Sequence, residues 1–322
     1  MVKKNNDLSQ IRQALLGAEV PVVILSHPSP DGDSIGSTIG AHGILTAAGI
    51  KAIPVLPELP SIYDFLTKDV DILHPSVDLT GKIALILDCG DGNRLTQSGQ
   101  SLEGADLVIN IDHHLHNDYF GNLNYVDPNA SAAGELIFTL FRDYPQYFSP
   151  GIADALYTAL VTDSGGFCYS NTSSEALWAA GTLVEWGAKP HSIYCHLYQN
   201  RSLGYFAFLA EALGKIELHC SGKVALLPLD RELMLRHSIG DWELDEVNDY
   251  PRSLAGISVS IVLKETEAGV KASLRSKGWN VAEIAAAFGG GGHNNAAGVT
   301  LDMSLDEAKN QLLKYLEQEQ VL

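Results

Sequence analysis

The chain has 322 residues and a net charge of −18, with 46% hydrophobic and 19% charged residues. That balance supplies a globular core, excludes a disordered chain and favours two domains. The excess of acids argues against a protein that holds long nucleic acid by neutralising phosphates, while a small-anion site with its own cations stays compatible with it.

In chain order, residues 7–18 (DLSQIRQALLGA) show helical apolar spacing behind a polar cap. PVVILS (21–26) is a short β-branched run without alternation, which predicts a buried parallel strand. Residues 34–49 are predicted helical despite four glycines, because a polar cap precedes them and small residues recur. KAIPVLP (51–57), KIALILD (82–88) and DLVINID (106–112) are further strands, and residues 131–143 and 151–163 are helical. From 172 to 214 the pattern is helical throughout. A strand at 223–230 follows, then a hairpin of GISVSIVLKE (256–265) and GVKASLRS (269–276). A helix covers 281–287, and the run GGGGHNNAAG leads to a strand at 299–301 and a helix at 304–319. The expected fold class is α/β. An N-terminal domain (1–190) holds a mostly parallel sheet flanked by helices, a helical connector spans 191–215, and a smaller α/β C-terminal domain (216–322) holds a mixed sheet.

Cys89, Cys168, Cys195 and Cys220 form no C-x-x-C pair, which excludes a zinc ribbon and a disulfide scaffold and fits a reducing cytoplasm. The N-terminus has no long apolar stretch of the secretory kind, and no apolar run is long enough to cross a bilayer. A cytoplasmic protein without membrane contact is expected.

Three predicted strands run into acids or histidines. VVILS leads to His27, Asp31 and Asp33, IALIL to Asp88, and LVINI to Asp112, His113 and His114. In a parallel α/β sheet the carboxyl ends of the strands share one edge, where ligands bind. Asp163, at the end of the helical run ADALYTALVT, is a fourth candidate. Four carboxylates with two or three imidazoles suit divalent metals, and mixed N/O ligation fits Mn²⁺, Fe²⁺, Co²⁺ or Zn²⁺ better than an all-oxygen cage for Mg²⁺. The charges of Asp31, Asp33, Asp88 and Asp163 match two divalent ions; unpaired, such acids repel and take up protons. Asp91 and Asp118 read as turn formers.

These residues carry a family resemblance. SHPSPDGDSIGS, LDCGDGNRL, IDHH and LVTDSGGF, in this order, resemble the four motifs of the DHH phosphoesterase superfamily, and FGGGGHNNAAG resembles the glycine-rich signature of the DHH-associated domain. The motifs run from residue 26 to residue 298. Ser34, Cys89 and the pair Ala132-Ala133 are positions where family-typical residues are not expected. Within the superfamily the chain is most similar to the NrnA-type nano-RNases, which cleave very short oligoribonucleotides and remove the 3′-phosphate of 3′-phosphoadenosine 5′-phosphate (pAp). The resemblance implies that His27, Asp31 and Asp88 hold one metal and that Asp33, Asp88, His113 and Asp163 hold another, with Asp88 shared. Manganese is the first choice, with magnesium, cobalt or iron as alternatives. It also points to a homodimer.

In that frame His114 contacts phosphate or protonates the leaving oxygen, and Asp112 either orients an imidazole or caps its strand. Arg94, after the second motif, is a candidate phosphate contact or a plain surface arginine. In the second domain Gly290, Gly291 and Gly292 let backbone N–H groups approach a ligand, His293 follows them, and Arg275 can bind phosphate bidentately. Two domains facing across a hinge would close on a small ligand. The enzymatic rivals are a cyclic-dinucleotide (c-di-AMP type) or linear-dinucleotide phosphodiesterase, a manganese pyrophosphatase and a RecJ-like long-strand exonuclease. The non-enzymatic rival is a nucleotide-binding regulatory module.

Overall fold

Apolar runs without alternation need cover on both faces, and the first sheet has it. In the computed structural model of the protein, residues 5–318 are described apart from Glu58, Ser98 and Asp245. The chain divides into two units, Met1–Asn200 and Arg201–Leu322.

The first unit runs α1 (Leu8–Leu16), β1 (Val22–Leu25), α2 (Gly32–Ala47), β2 (Ala52–Val55), α3 (Asp64–Thr67), β3 (Ile83–Leu87), α4 (Asn93–Gln97), β4 (Leu107–Asp112), β5 (Leu123–Val126), α5 (Ala133–Phe141), α6 (Pro150–Asp163), α7 (Ser174–Glu185) and α8 (Pro190–Tyr198). Its strands form one parallel sheet in the order β2-β1-β3-β4-β5. Val22 and Ile24 of β1, with Ile83, Leu85 and Leu87 of β3, join one core with α1, α2, α5 and α6. Val23, Leu25, Ala84 and Ile86 point to a second core on the opposite face. Strand order reverses between β1 and β3, which opens a crevice at their carboxyl ends.

The glycines of α2 have a packing role. A Cβ on Gly32, Gly36, Gly40 or Gly43 would lie within 2.4 Å of Thr162, Ala155, Leu156 or Ile152 of α6. One glycine-lined face thus lets α6 approach closely. The two helices run so that the start of α2, with Asp33, meets the end of α6, with Asp163.

The second unit runs α9 (Leu203–Leu213), β6 (Glu217–His219), β7 (Val224–Leu229), α10 (Arg231–Arg236), α11 (Asp249–Ser253), β8 (Val259–Thr266), β9 (Gly269–Ser276), α12 (Val281–Ala287), β10 (Gly291–His293), β11 (Ala296–Leu301) and α13 (Leu305–Gln318). Its mixed sheet has the order β10-β11-β9-β8-β7-β6, with β7 and β8 parallel and the remaining pairs antiparallel. The expected hairpin is β8–β9. The glycine run differs from expectation in one respect: its last two glycines and His293 form β10, paired antiparallel with β11, which begins at Ala296 rather than at residue 299. Gly290 has no room for a side chain, since a Cβ would fall 2.3 Å from the Gly298 carbonyl oxygen. No described helix is long and apolar enough to cross a membrane.

Candidate metal centre

The carboxyl ends of β1, β3 and β4 are neighbours in the first sheet, and each delivers side chains to one spot. Beyond β1, Asp31 caps α2: its Oδ1 accepts from the Ser34 N–H at 3.0 Å, which leaves Oδ2 facing His27 Nε2 at 3.9 Å. One carboxylate can therefore serve as helix cap and ligand together. Beyond β3, Asp88 turns out of the sheet at φ 53°, in the left-handed region that Asp tolerates better than most side chains. Its Oδ2 lies 3.2 Å from His27 Nε2, and its Oδ1 lies 3.5 Å from His113 Nε2 and 3.6 Å from His114 Nδ1.

Asp33 and Asp163 complete the cluster from the paired helix ends. His113 Nε2 lies 3.6 Å from Asp33 Oδ2 and 3.7 Å from Asp163 Oδ2. Asp33 also accepts two backbone N–H bonds at the start of α5, from Ala133 at 2.6 Å and Gly134 at 2.9 Å. These donors favour its ionised form and fix its orientation. His113 Nδ1 sits 3.3 Å from the Ala130 carbonyl oxygen, which selects the tautomer that turns Nε2 to the acids. The Asn171 amide donates to Asp163 Oδ2 at 3.4 Å and to the Ser131 carbonyl at 3.0 Å, tying the Asp163 loop to the start of α5.

The ligand atoms fall into three mutually close groups: His27, Asp31 and Asp88; Asp33, His113 and Asp163; Asp88, His113 and His114. Their electrostatics suit a site for positive charge. Burial pushes Asp33 well above the usual carboxylate range, and the charge of Asp88 adds to this. Burial likewise raises Asp163 to about 7, with Asp31 and Asp88 contributing and His113 opposing. Burial also works against the charge of Asp88, but hydrogen bonds from His113 and His27 outweigh it and hold this carboxyl below the usual range. Burial disfavours imidazolium at His113, yet its bond to Asp88 and the charges of Asp33 and Asp163 raise it well above the usual value. Protons thus neutralise the cluster where cations can. The donor set, mixed carboxylate and imidazole on converging atoms, fits divalent metal ions.

Asp112 is fully buried and faces His114 rather than His113: its Oδ1 lies 2.7 Å from His114 Nδ1. Burial opposes its charge, but the bonds from His114 and Asn117 hold its pKa down. Asp112 is therefore hydrogen-bonded to the His114 imidazole as well as ending its strand. Asp91 is the turn former its position suggests, accepting from the Asn93 N–H at 2.8 Å. Arg94 on α4 is half-buried and close enough for its charge to oppose protonation of His27. Gly90 sits where the Asp88 and His114 loops meet; a Cβ there would lie 2.7 Å from the His116 carbonyl oxygen.

Comparison with known proteins bears on this arrangement. Residues 21–160 match the DHH family, N-terminal domain, and residues 233–321 match the DHHA1 domain. A bifunctional oligoribonuclease and PAP phosphatase NrnA of Thermus thermophilus is 33% identical over 96% of this chain and 93% of its own length. The chain belongs to the DHH family. A cyclic-di-AMP phosphodiesterase PdeA of Listeria monocytogenes is 26% identical over 96% of this chain but only 49% of its own length. The crystal structure of an exopolyphosphatase-related protein from Bacteroides fragilis has a TM-score of 0.88 at 25% identity, covering 97% of this chain and 96% of that one. As a DHH protein the chain carries the family's name-giving triplet at Asp112-His113-His114, the residues that join the β4 end to the cluster.

The DHHA1-matching unit brings its own candidates together in one sheet. Arg275 of β9 pairs in register with Ala296 of β11, which pairs with His293 of β10. The Arg275 guanidinium donates to the Leu274 carbonyl at 3.0 Å. The side chain of His293 lies outside the described residues. Gly291 has open space where a side chain would project, and Gly292 has φ 143°. Sequence reasoning missed the supporting groups of the metal cluster: the N–H groups of Ala133 and Gly134, the Ala130 carbonyl, Asn117 and Asn171. Backbone groups and neutral amides carry no signature of this kind.

Proposed function

We propose that this chain is a metal-dependent phosphoesterase that hydrolyses very short oligoribonucleotides and removes the 3′-phosphate of pAp. The observation that carries the reading is the convergence of Asp33, Asp88 and Asp163 on His113, with His27 and Asp31 on the other side of Asp88. The substrate class follows from the relative that is 33% identical and named for both activities.

His27, Asp31 and Asp88 would hold one divalent ion; Asp33, Asp88, His113 and Asp163 would hold a second, with Asp88 common to both. Bound there, two divalent ions, manganese first among the candidates, supply an activated water and offset phosphoryl charge. The protein's own groups do the rest. Asp112 holds His114 by Nδ1, so Nε2 is the atom that can donate to a phosphate oxygen or to the leaving oxygen. Arg94 adds positive charge on the β1–β3 side of the cluster. In the second unit Arg275, the backbone of Gly290, Gly291 and Gly292, and His293 are the groups this reading assigns to substrate binding. Residues 1–190 are the catalytic domain in this reading and residues 216–322 the substrate-binding domain.

The test is hydrolysis with Mn²⁺ of pAp, a 5′-phosphorylated diribonucleotide, a longer RNA, a cyclic dinucleotide and pyrophosphate. Turnover of the dinucleotide and pAp, with little on the others, is expected. Preference for the cyclic dinucleotide would move the protein to the second reading, cyclic-dinucleotide breakdown, which the resemblance to PdeA motivates.

A further inference from the structure

Asn117 is not at a strand end and is not part of the acid pattern, yet three hydrogen bonds converge on its side chain. Nδ2 donates to Asp112 Oδ2 at 2.6 Å and to Asn110 Oδ1 at 2.9 Å, and Oδ1 accepts from the Tyr119 N–H at 2.6 Å. The Tyr119 amide needs an acceptor and the Asp112 carboxylate needs a donor, so one orientation of the Asn117 amide satisfies both ends. Asn110 in turn donates to the Cys89 carbonyl at 3.1 Å. A continuous polar row therefore runs from the backbone next to Asp88, through Asn110, Asn117 and Asp112, to the imidazole of His114. Asn110 and Asp112 are both fully buried and Asn117 is half-buried, so the row runs mostly out of contact with water.

We propose that Asn117 is a positioning residue for His114. It satisfies Asp112 Oδ2, so the opposite oxygen stays aimed at His114 Nδ1, and it ties that aim to the same backbone that presents Asp88. His114 Nε2 is thereby set at a fixed place relative to the Asp88 carboxylate. The kinetic part of this inference rests on the phosphoesterase reading above; the placement of the imidazole does not.

The competing role for Asn117 is local. Its Oδ1 bond closes a turn in which Tyr119 sits at φ 51°, and Asp closes such turns as well as Asn does. The substitution Asn117→Asp separates the two. It keeps the acceptor for the Tyr119 N–H and replaces the donor facing Asp112 with a second carboxylate oxygen. With Mn²⁺ and the diribonucleotide, N117D is expected to lose about 10- to 100-fold in kcat, the range for partners that orient functional groups. KM and bound metal are expected to change little. In the metal-free protein, long-range ¹H–¹⁵N spectra of the histidines should show Nδ1-protonated His114 in the wild type and an altered His114 in N117D.

Wild-type kcat in N117D, with N117A impaired, would overturn the proposal in favour of the turn. An unaltered His114 spectrum in N117D would overturn it whatever the activity. Should N117D fold poorly, the same spectra on N117A decide, because alanine places no charge beside Asp112. A wild-type enzyme inactive on every substrate would sink the functional reading and leave the spectra to judge Asn117.

Discussion

Asp163 and His113 both hold a proton more firmly in the folded, metal-free chain than in an unfolded one. Burial raises Asp163 to about 7, and the neighbouring carboxylates raise His113 despite its burial. A pKa raised by folding gives stability that is present at low pH and lost as pH climbs through the folded value. Asp88 is held low and stays ionised across this window, so it adds no slope there. The metal-free protein should therefore lose stability at this cluster between pH 5.5 and 8, while a bound divalent ion takes over from the protons. The Tm difference between Mn²⁺-loaded and metal-free protein is expected to widen over that range by several degrees. Asp163 alone accounts for about 1–2 kcal/mol of this once its 33% exposure is allowed for, at about 2–4 °C per kcal/mol, and His113 adds in the same direction. Scanning calorimetry at the two pH values checks it; a constant or shrinking difference would mean that these protons are not what the metal displaces. The acids and histidines at this scale were legible because a parallel sheet must gather its strand ends. What holds them was not: Asn171 on Asp163 and Ala130 on His113 come from loops whose approach only the folded chain reveals.

The α2–α6 contact sets the distance between Asp33 and Asp163, and glycine sets the contact. At Gly36 a Cβ would meet the Ala155 carbonyl oxygen at 2.4 Å and the Ala159 nitrogen at 2.9 Å, backbone atoms that cannot step aside. Alanine gains about 1 kcal/mol of helix propensity over glycine, but forcing an extra methyl into such a contact costs about 1–3 kcal/mol. Gly36→Ala should thus destabilise by up to about 2 kcal/mol and weaken Mn²⁺ binding by spreading the two helix ends. Gly181 in α7 has open space around its absent Cβ, so Gly181→Ala should instead stabilise by about 0.5–1 kcal/mol and leave metal binding alone. Urea unfolding and titration calorimetry on the pair give the answer, and equal stability of the two variants would end the close-packing account. The same helix shows why parts of the fold could be read. Strands β1, β3 and β4 are unbroken apolar runs, and α2 kept its helical signature because small residues recur on one face. Strand β5 escaped because its four residues include Asn124 and bury only alternate positions on the sheet edge. Strand β10 escaped because glycine has no strand preference, and only pairing with β11 orders it.

At the scale of the whole molecule the net charge of −18 works against every phosphate beyond the first few. A dinucleotide needs only the few positive charges that metal ions at the candidate centre would supply against that field, whereas each further nucleotide of a longer strand adds a charge that meets surface acids. Salt screens the second effect more than the first, since the Debye length falls from about 30 Å at 0.01 M to about 8 Å at 0.15 M ionic strength, and contacts at a buried cluster are screened least. The ratio of kcat/KM for a diribonucleotide over a pentaribonucleotide should therefore be largest at low salt and shrink as salt rises. A protein that gripped RNA along a basic channel would show the reverse, because counterion release makes longer contacts the more salt-sensitive ones. Measuring both substrates at 20 and 200 mM KCl with Mn²⁺ fixed separates the two. A preference for the short substrate that is unchanged by salt would shift the cause from long-range repulsion to the walls of the site itself, where length is limited by shape.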